Sequence, residues 1–192
     1  MSWYCEASQG HEWHQPYHDE VYGFPVSDDR VLFERLVLEL NQAGLSWLTI
    51  LRKTESFRQA YCNFDIETVA GFGDKERARL MADAGIIRNR LKIEAAIHNA
   101  QEVMRLQKAY GSFAAWLAHH HPRDLSSWVR LLRGHFRFMG PEIVNEFLMS
   151  IGYLEGAHAP WCSVYKRIAQ LNPPWLVAKE ARKDTRKDKS KD

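Results

Sequence analysis

Leu80-Met81-Ala82-Asp83-Ala84-Gly85-Ile86-Ile87-Arg88-Asn89-Arg90-Leu91-Lys92-Ile93 reads as a helix, a tight turn and a second helix. Leu80, Met81 and Ala84 keep helical spacing before the glycine, and Ile93, Ala96, Ile97, Ala100, Val103, Met104 and Leu106 keep it afterwards. Asp74 opens the first of these helices, and the second runs from about Arg88 to Tyr110, where Gly111 stops it. A glycine turn followed by a fresh helix N-terminus offers backbone N–H donors to a phosphate without requiring side-chain charge. Arg88, Arg90 and Lys92 add cations suited to the same anion. Any two packed helices can be joined this way, and basic residues at such a turn are ordinarily just solvated.

The same period extends in both directions. Asp28-Asp29 caps a helix carrying Leu32, Phe33, Leu36, Val37 and Leu40, which stops near Gly44. Short helices are predicted around Thr54, Phe57 and Tyr61, and from Asp65 through Ile66, Val69 and Ala70. Ser112 opens a segment with Phe113, Trp116 and Leu117, Asp124 one with Trp128, Leu131 and Leu132, and Pro141 one with Val144, Phe147 and Leu148. His119-His120-His121 is read as a solvated helix end. No alternating strand pattern exceeds about four residues, so the fold class is all-α.

Hydrophobic residues make up 45% of the 192 and charged residues 26%, as in an ordinary globular chain. There is no apolar run of membrane-spanning length and no signal peptide at Met1-Ser2-Trp3-Tyr4-Cys5, which predicts a cytoplasmic protein, read as a monomer. Net charge is +2, but Lys179 to Asp192 hold seven Lys/Arg and four Asp/Glu. The remainder is close to neutral, so any nucleic-acid binding must come from a local patch and a pocket. Residues 1–178 are read as one domain, with two small helical lobes allowed, and 179–192 as a charged, disordered tail. Three cysteines are too few for a disulfide framework, and Cys62 is read as a core thiol.

His158-x3-Cys162 near one end and Cys5 with His18 near the other compose a two-thiolate, two-imidazole set, the composition of a closed structural zinc site. Such an ion staples the chain ends and leaves no open position for a water. On spacing alone, core packing is the commoner reading of a His-x3-Cys pair. Glu39 falls about 20° from Leu32 on its helix, at the edge of the apolar stripe, where a carboxylate must find a partner, face a cleft or accept a raised pKa. Gly44 permits a sharp turn that projects Leu45, and Trp47 follows. Trp13, His14, Tyr17, His18, Asp19 and Tyr22 are a dense run of rings and polar tips. Each has an ordinary packing explanation. If Glu39, Tyr17 and Trp47 converge, they make a slot with a flat wall and two hydrogen-bonding groups, which a flipped purine requires. Leu45 then suits a wedge for the gap left in a duplex.

Taken together these residues resemble the bacterial 3-methyladenine DNA glycosylase I family, a zinc-containing branch of the helix-hairpin-helix glycosylases. The matching stretches are Tyr17-His18-Asp19, Glu39 with Gln42-Ala43-Gly44-Leu45-Ser46-Trp47, Asp83-Ala84-Gly85-Ile86-Ile87-Arg88, Phe136-Arg137-Phe138-Met139-Gly140-Pro141, and His158-x3-Cys162. The resemblance implies that Cys5, His18, His158 and Cys162 hold a structural Zn2+, and that Glu39 and Tyr17 hydrogen-bond the excised base while Trp47 stacks on it. It further implies that Gly44 and Leu45 plug the duplex, and that Gly85, Ile86 and their neighbours, with Arg88 and Lys92, grip the backbone of double-stranded DNA containing alkylated bases. Hydrolysis without lyase activity is expected. The chain departs from the family pattern at Ala7, where a Trp is usual, at His14, where a Tyr is usual, and at Val21-Tyr22-Gly23, where Glu-Trp-Gly is usual. Trp13 and Tyr22 are the rings expected to keep the pocket aromatic. Two alternatives remain at this point: a glycosylase for a different alkylated base, and a zinc-stapled protein that binds damaged DNA without catalysis.

Overall fold

The computed structural model describes residues 2–188. They form twelve α-helices and no strand: α1 Ser2–Ala7, α2 His14–Glu20, α3 Asp29–Gln42, α4 Trp47–Ala60, α5 Ile66–Ala70, α6 Asp74–Ala82, α7 Arg90–Tyr110, α8 Phe113–His120, α9 Leu125–His135, α10 Pro141–Ser150, α11 Ser163–Ala169 and α12 Pro174–Asp188. Side-chain caps set most of the starts. Asp28 accepts from the N–H groups of Arg30 and Val31, Ser46 from Thr49, Asp65 from Thr68, Asn89 from Lys92, Ser112 from Ala115 and Asp124 from Ser127. Each satisfies a donor that the first helical turn leaves over, worth about 1 kcal/mol. The helix expected around Phe57 begins seven residues before Thr54, at Trp47, because Ser46 caps it there. Among the described residues, no helix is long and apolar enough to cross a membrane.

The chain divides into two compact units, Ser27–Phe147 and a second made of Met1–Val26 with Leu148–Asp192. In the first, α7 packs against α3, α5, α6 and α8. Its buried face (Ile93, Ala96, Ala100, Val103) meets a core that includes Leu32, Phe33 and Leu36 of α3, Ile50 and Phe57 of α4, and Phe113 and Trp116 of α8. Asp29 does not serve as the cap of its own helix. Its carboxylate accepts from Gln107 Nε2 at 2.8 Å and from the N–H groups of Phe113 at 2.7 Å and Ala114 at 2.9 Å, which ties the start of α3 to the start of α8.

Two expectations need correction. Cys62 is exposed: it sits in a left-handed turn with Asn63 and Phe64, all at φ between 53° and 56°, that buries Phe64 against Tyr61, ring centroids 5.7 Å apart. The segment from Lys179, read as disordered, continues α12 as far as Asp188, and Lys179 Nζ donates to Glu155 Oε1 at 2.6 Å. Its charges are compatible with a helix because both signs alternate along it. Residues 189–192 lie outside the described residues.

Candidate functional site

The second unit gathers Cys5, His18, His158 and Cys162, all buried, with one donor atom from each within 4.8 Å of all the others. His158 Nδ1 and His18 Nε2 are 3.1 Å apart, and Cys162 Sγ lies 3.9 Å and 3.8 Å from them. Cys5 Sγ is 3.9 Å from His158 Nδ1. Metal–sulfur bonds of about 2.3 Å and metal–nitrogen bonds of about 2.0 Å, set tetrahedrally, separate neighbouring ligands by roughly 3.3–3.8 Å. The four spacings above lie within about 0.2 Å of that frame, and all four donor atoms stay within 4.8 Å of one another. The outward nitrogens are also fixed: His158 Nε2 donates to the Tyr22 carbonyl at 2.7 Å, and His18 Nδ1 pairs with Asp19 Oδ1 at 2.7 Å. Those partners turn the opposite ring nitrogens, the ones that face the cluster, into lone-pair donors. A buried cluster of two thiols and two such imidazoles can hold a metal ion.

Tyr17 precedes His18 of that cluster on α2, and its ring lies 5.6 Å from Tyr22. Tyr22 is buried, and Tyr4 meets it edge-on at 5.6 Å. Tyr4 also hydrogen-bonds His14, 3.1 Å from hydroxyl to Nδ1. Burial and the neighbouring His11 hold the His14 imidazole below its ordinary pKa. Tyr17, Tyr22, Tyr4 and His14 are thus one aromatic cluster beside the buried Cys/His cluster. Trp13 stands outside it, exposed at the start of α2.

In the Ser27–Phe147 unit, Glu39 is 4% exposed near the end of α3. Burial pushes its carboxyl well above the usual range, Glu146 raises it further, and Arg35 pulls the other way. The helix ends three residues on, at Gln42, and the chain turns away through Gly44, at φ +79°, which a β-carbon would strain. Leu45 is exposed beyond it, and Ser46 then starts α4 with Trp47 as its first residue.

The α6–α7 turn departs in part from its expected role. Ile86 is buried, so its side chain anchors the turn. The N–H groups of Gly85 and Ile86 are engaged by Asp83, through Oδ1 at 2.7 Å and the carbonyl at 3.4 Å. Arg88 and Arg90 are exposed. Lys92 is not: only 6% exposed, it donates to the carbonyls of Asn41 and Ala43 and faces no solvent phosphate. Gly85 is required for close approach, since a β-carbon there would stand 2.9 Å from Asp83 Oδ1 and 3.0 Å from Ser56 Cβ. Gly85→Ala is therefore expected to cost about 1–3 kcal/mol, read as a lower urea midpoint at unchanged slope. A wild-type midpoint would show that α4 yields freely.

A family model for methyladenine glycosylase matches residues 7–165. The chain belongs to the methyladenine glycosylase family. It is 34% identical over 169 residues to DNA-3-methyladenine glycosylase 1 of Escherichia coli, covering 78% of this chain and 89% of that one. Among solved structures it resembles 3-methyladenine DNA glycosylase I of Staphylococcus aureus, with TM-score 0.73, 32% identity, and coverage of 83% and 95% of the two chains. It resembles equally a variant of such an enzyme in complex with 3-methyladenine, with TM-score 0.74, 32% identity and coverage of 83% and 96%. In this methyladenine glycosylase the motifs leave two residues unmarked that the structure brings forward. Tyr4 gives no signal in sequence beyond being aromatic near a chain end. Lys53, on α4, reads as a solvated cation, yet it donates to the carbonyls of Ala84 and Gly85.

Proposed function

We propose that this methyladenine glycosylase is a DNA repair enzyme that extrudes 3-methyladenine from alkylated double-stranded DNA and hydrolyses its N-glycosidic bond, without lyase activity. Glu39 carries the reading. A buried carboxylate is unfavourable by itself and becomes favourable beside a cation. Methylation at N3 gives adenine a formal positive charge, so Glu39 favours the damaged base over the neutral one. Tyr17 donates or accepts at the base edge, Trp47 offers a stacking face, and Tyr22 and Trp13 supply further aromatic surface. Leu45, held out by Gly44, fills the space the base vacates. Arg88, exposed just after the α6–α7 turn, contacts the phosphates.

Hydrolysis joins water oxygen to C1′ and breaks the bond from C1′ to the base nitrogen. The bonding pair passes to the base and cancels its positive charge, and the proton of the water goes to solvent. The leaving group thus needs no protonation; binding selects and extrudes the cationic base, and the chemical step gains only from charge stabilisation that persists as the positive charge passes to the sugar. No lysine nucleophile enters the scheme. Cys5, His18, His158 and Cys162 would hold Zn2+, whose contribution is to crosslink the segments that carry Tyr17 and Tyr22.

The decisive assay incubates the metal-loaded protein with DNA treated with a methylating agent and separates the released bases by chromatography. Release of 3-methyladenine with 7-methylguanine retained is expected. No release from folded protein would overturn the enzymatic reading in favour of a non-catalytic binder of damage. Release of another base would place the selectivity in the Tyr4–His14 pair and Ala7.

A further inference from the structure

Two lysines link the segments assigned above to the duplex. Lys92, on α7 just after the α6–α7 turn, sends its ammonium to Asn41 O at 2.8 Å and Ala43 O at 2.7 Å, at the end of α3 where the loop bearing Leu45 begins. Lys53, on α4 just after that loop, sends its ammonium the opposite way, to Ala84 O at 2.8 Å and Gly85 O at 3.1 Å in the turn. Each lysine rises from the helix that follows one segment and binds the carbonyls of the other. Neither forms a salt bridge with a carboxylate among the described residues. We propose that Lys53 and Lys92 are positioning residues that brace the Leu45 loop and the α6–α7 turn into one rigid element, a role that rests on the proposed function.

The arrangement has a physical logic. The last carbonyls of α3 lack helical partners and carry the negative end of its dipole, and an ammonium satisfies both needs. Its hydrogen bonds are charge-assisted and stronger than neutral ones. Burying that ammonium without a carboxylate costs free energy, which a purely structural position would avoid with an apolar side chain. Unstacking a base costs a few kcal/mol. A loose loop would swing aside under that load, whereas a braced one transmits it between phosphate grip and wedge. The close seat of Gly85 on Ser56 of α4 supports the same coupling.

The test uses full-length, metal-loaded Lys92→Met and Lys53→Met with three readouts. Excision of 3-methyladenine from duplex DNA is expected to fall by about 10²-fold in Lys92→Met, and excision from the same sequence as a single strand by less than about threefold, since no stacked partner strand has to be parted. The salt slope of binding to undamaged duplex is expected to stay unchanged, whereas loss of a phosphate contact would reduce it by about 1. Hydrogen exchange without DNA is expected to speed up at Gly44 and Leu45 in Lys92→Met and at residues 84–86 in Lys53→Met. Equal losses on duplex and single strand, a reduced salt slope, or unchanged exchange would each overturn the brace. If Lys92→Met does not fold, Lys53→Met carries the exchange and duplex tests alone. Wild-type protein inactive on both substrates would instead refute the proposed function, and the exchange result would still decide the brace.

Discussion

Glu39→Gln is expected to release 3-methyladenine about 10²-fold more slowly than wild type at neutral pH, and to melt at a higher temperature. Both effects follow from one buried carboxyl whose pKa lies well above the ordinary 4.5. Below about pH 4.5 the group is protonated in folded and unfolded chains alike, and it contributes no pH-dependent term. Between 4.5 and the raised value the unfolded chain gives up the proton while the folded chain keeps it, so stability falls as pH rises through that window. Above the window the loss is complete. Glutamine keeps the shape and removes the penalty, so the melting advantage is larger at pH 8 than at pH 5. Calorimetry at the two pH values, beside base-release assays, checks both halves. A variant that melts below wild type at pH 8 would mean that Glu39 is held as a satisfied anion. Wild-type release would remove it from base recognition.

Cys162→Ser, or exhaustive chelation, is expected to have the largest effect on stability. Four buried donors left without a cation face one another across less than 5 Å, and binding free energy at such sites is folding free energy. For a chain of this size each kcal/mol lost lowers a melting temperature by roughly 2–4 °C, so loss of several lowers it by about 10 °C or more. The effect should appear as an early transition confined to the Met1–Val26 and Leu148–Asp192 unit, with Ser27–Phe147 melting later. Base release should vanish with the early step, because Tyr17 adjoins the ligand His18 and Tyr22 supplies the carbonyl that holds His158. Metal analysis and scanning calorimetry on the same samples check this. Metal-free protein with an unaltered melting curve would show that the four side chains pack stably without an ion.

Helix positions were legible wherever a short polar residue precedes an apolar stripe, as at Asp28, Asp65, Ser112 and Asp124. The roles of individual charges were less so. Asp29 looks like a second cap for α3, but its partners lie 78 to 85 residues away, and no local pattern encodes them. Lys92 looks like a phosphate contact for the same reason that Arg88 does: spacing reports which turn a cation sits on, not whether its long stem folds inward. Cys62 was misread because a buried thiol is the commonest state of cysteine, and the left-handed turn that turns it outward has no glycine to announce it. The metal cluster was the opposite case. Its residues are far apart in sequence and weak as a spacing pattern, so only the family resemblance singled them out, and the fold gathers all four.

The Cys5, His18, His158 and Cys162 cluster also imposes an order in time. His18 and His158 are separated by 140 positions, and Cys162 comes later still, so the site is incomplete until most of the chain has left the ribosome. Ser27–Phe147 is continuous and available to fold before then. The Gly44–Leu45 segment can therefore form before Tyr17, Tyr22 and His158 are brought together, and if the cluster is metal-loaded as proposed, a shortage of metal would act on the protein at birth. It would leave newly made chains unfinished while those already loaded keep working, so repair capacity would decline only as fast as old molecules are diluted by growth.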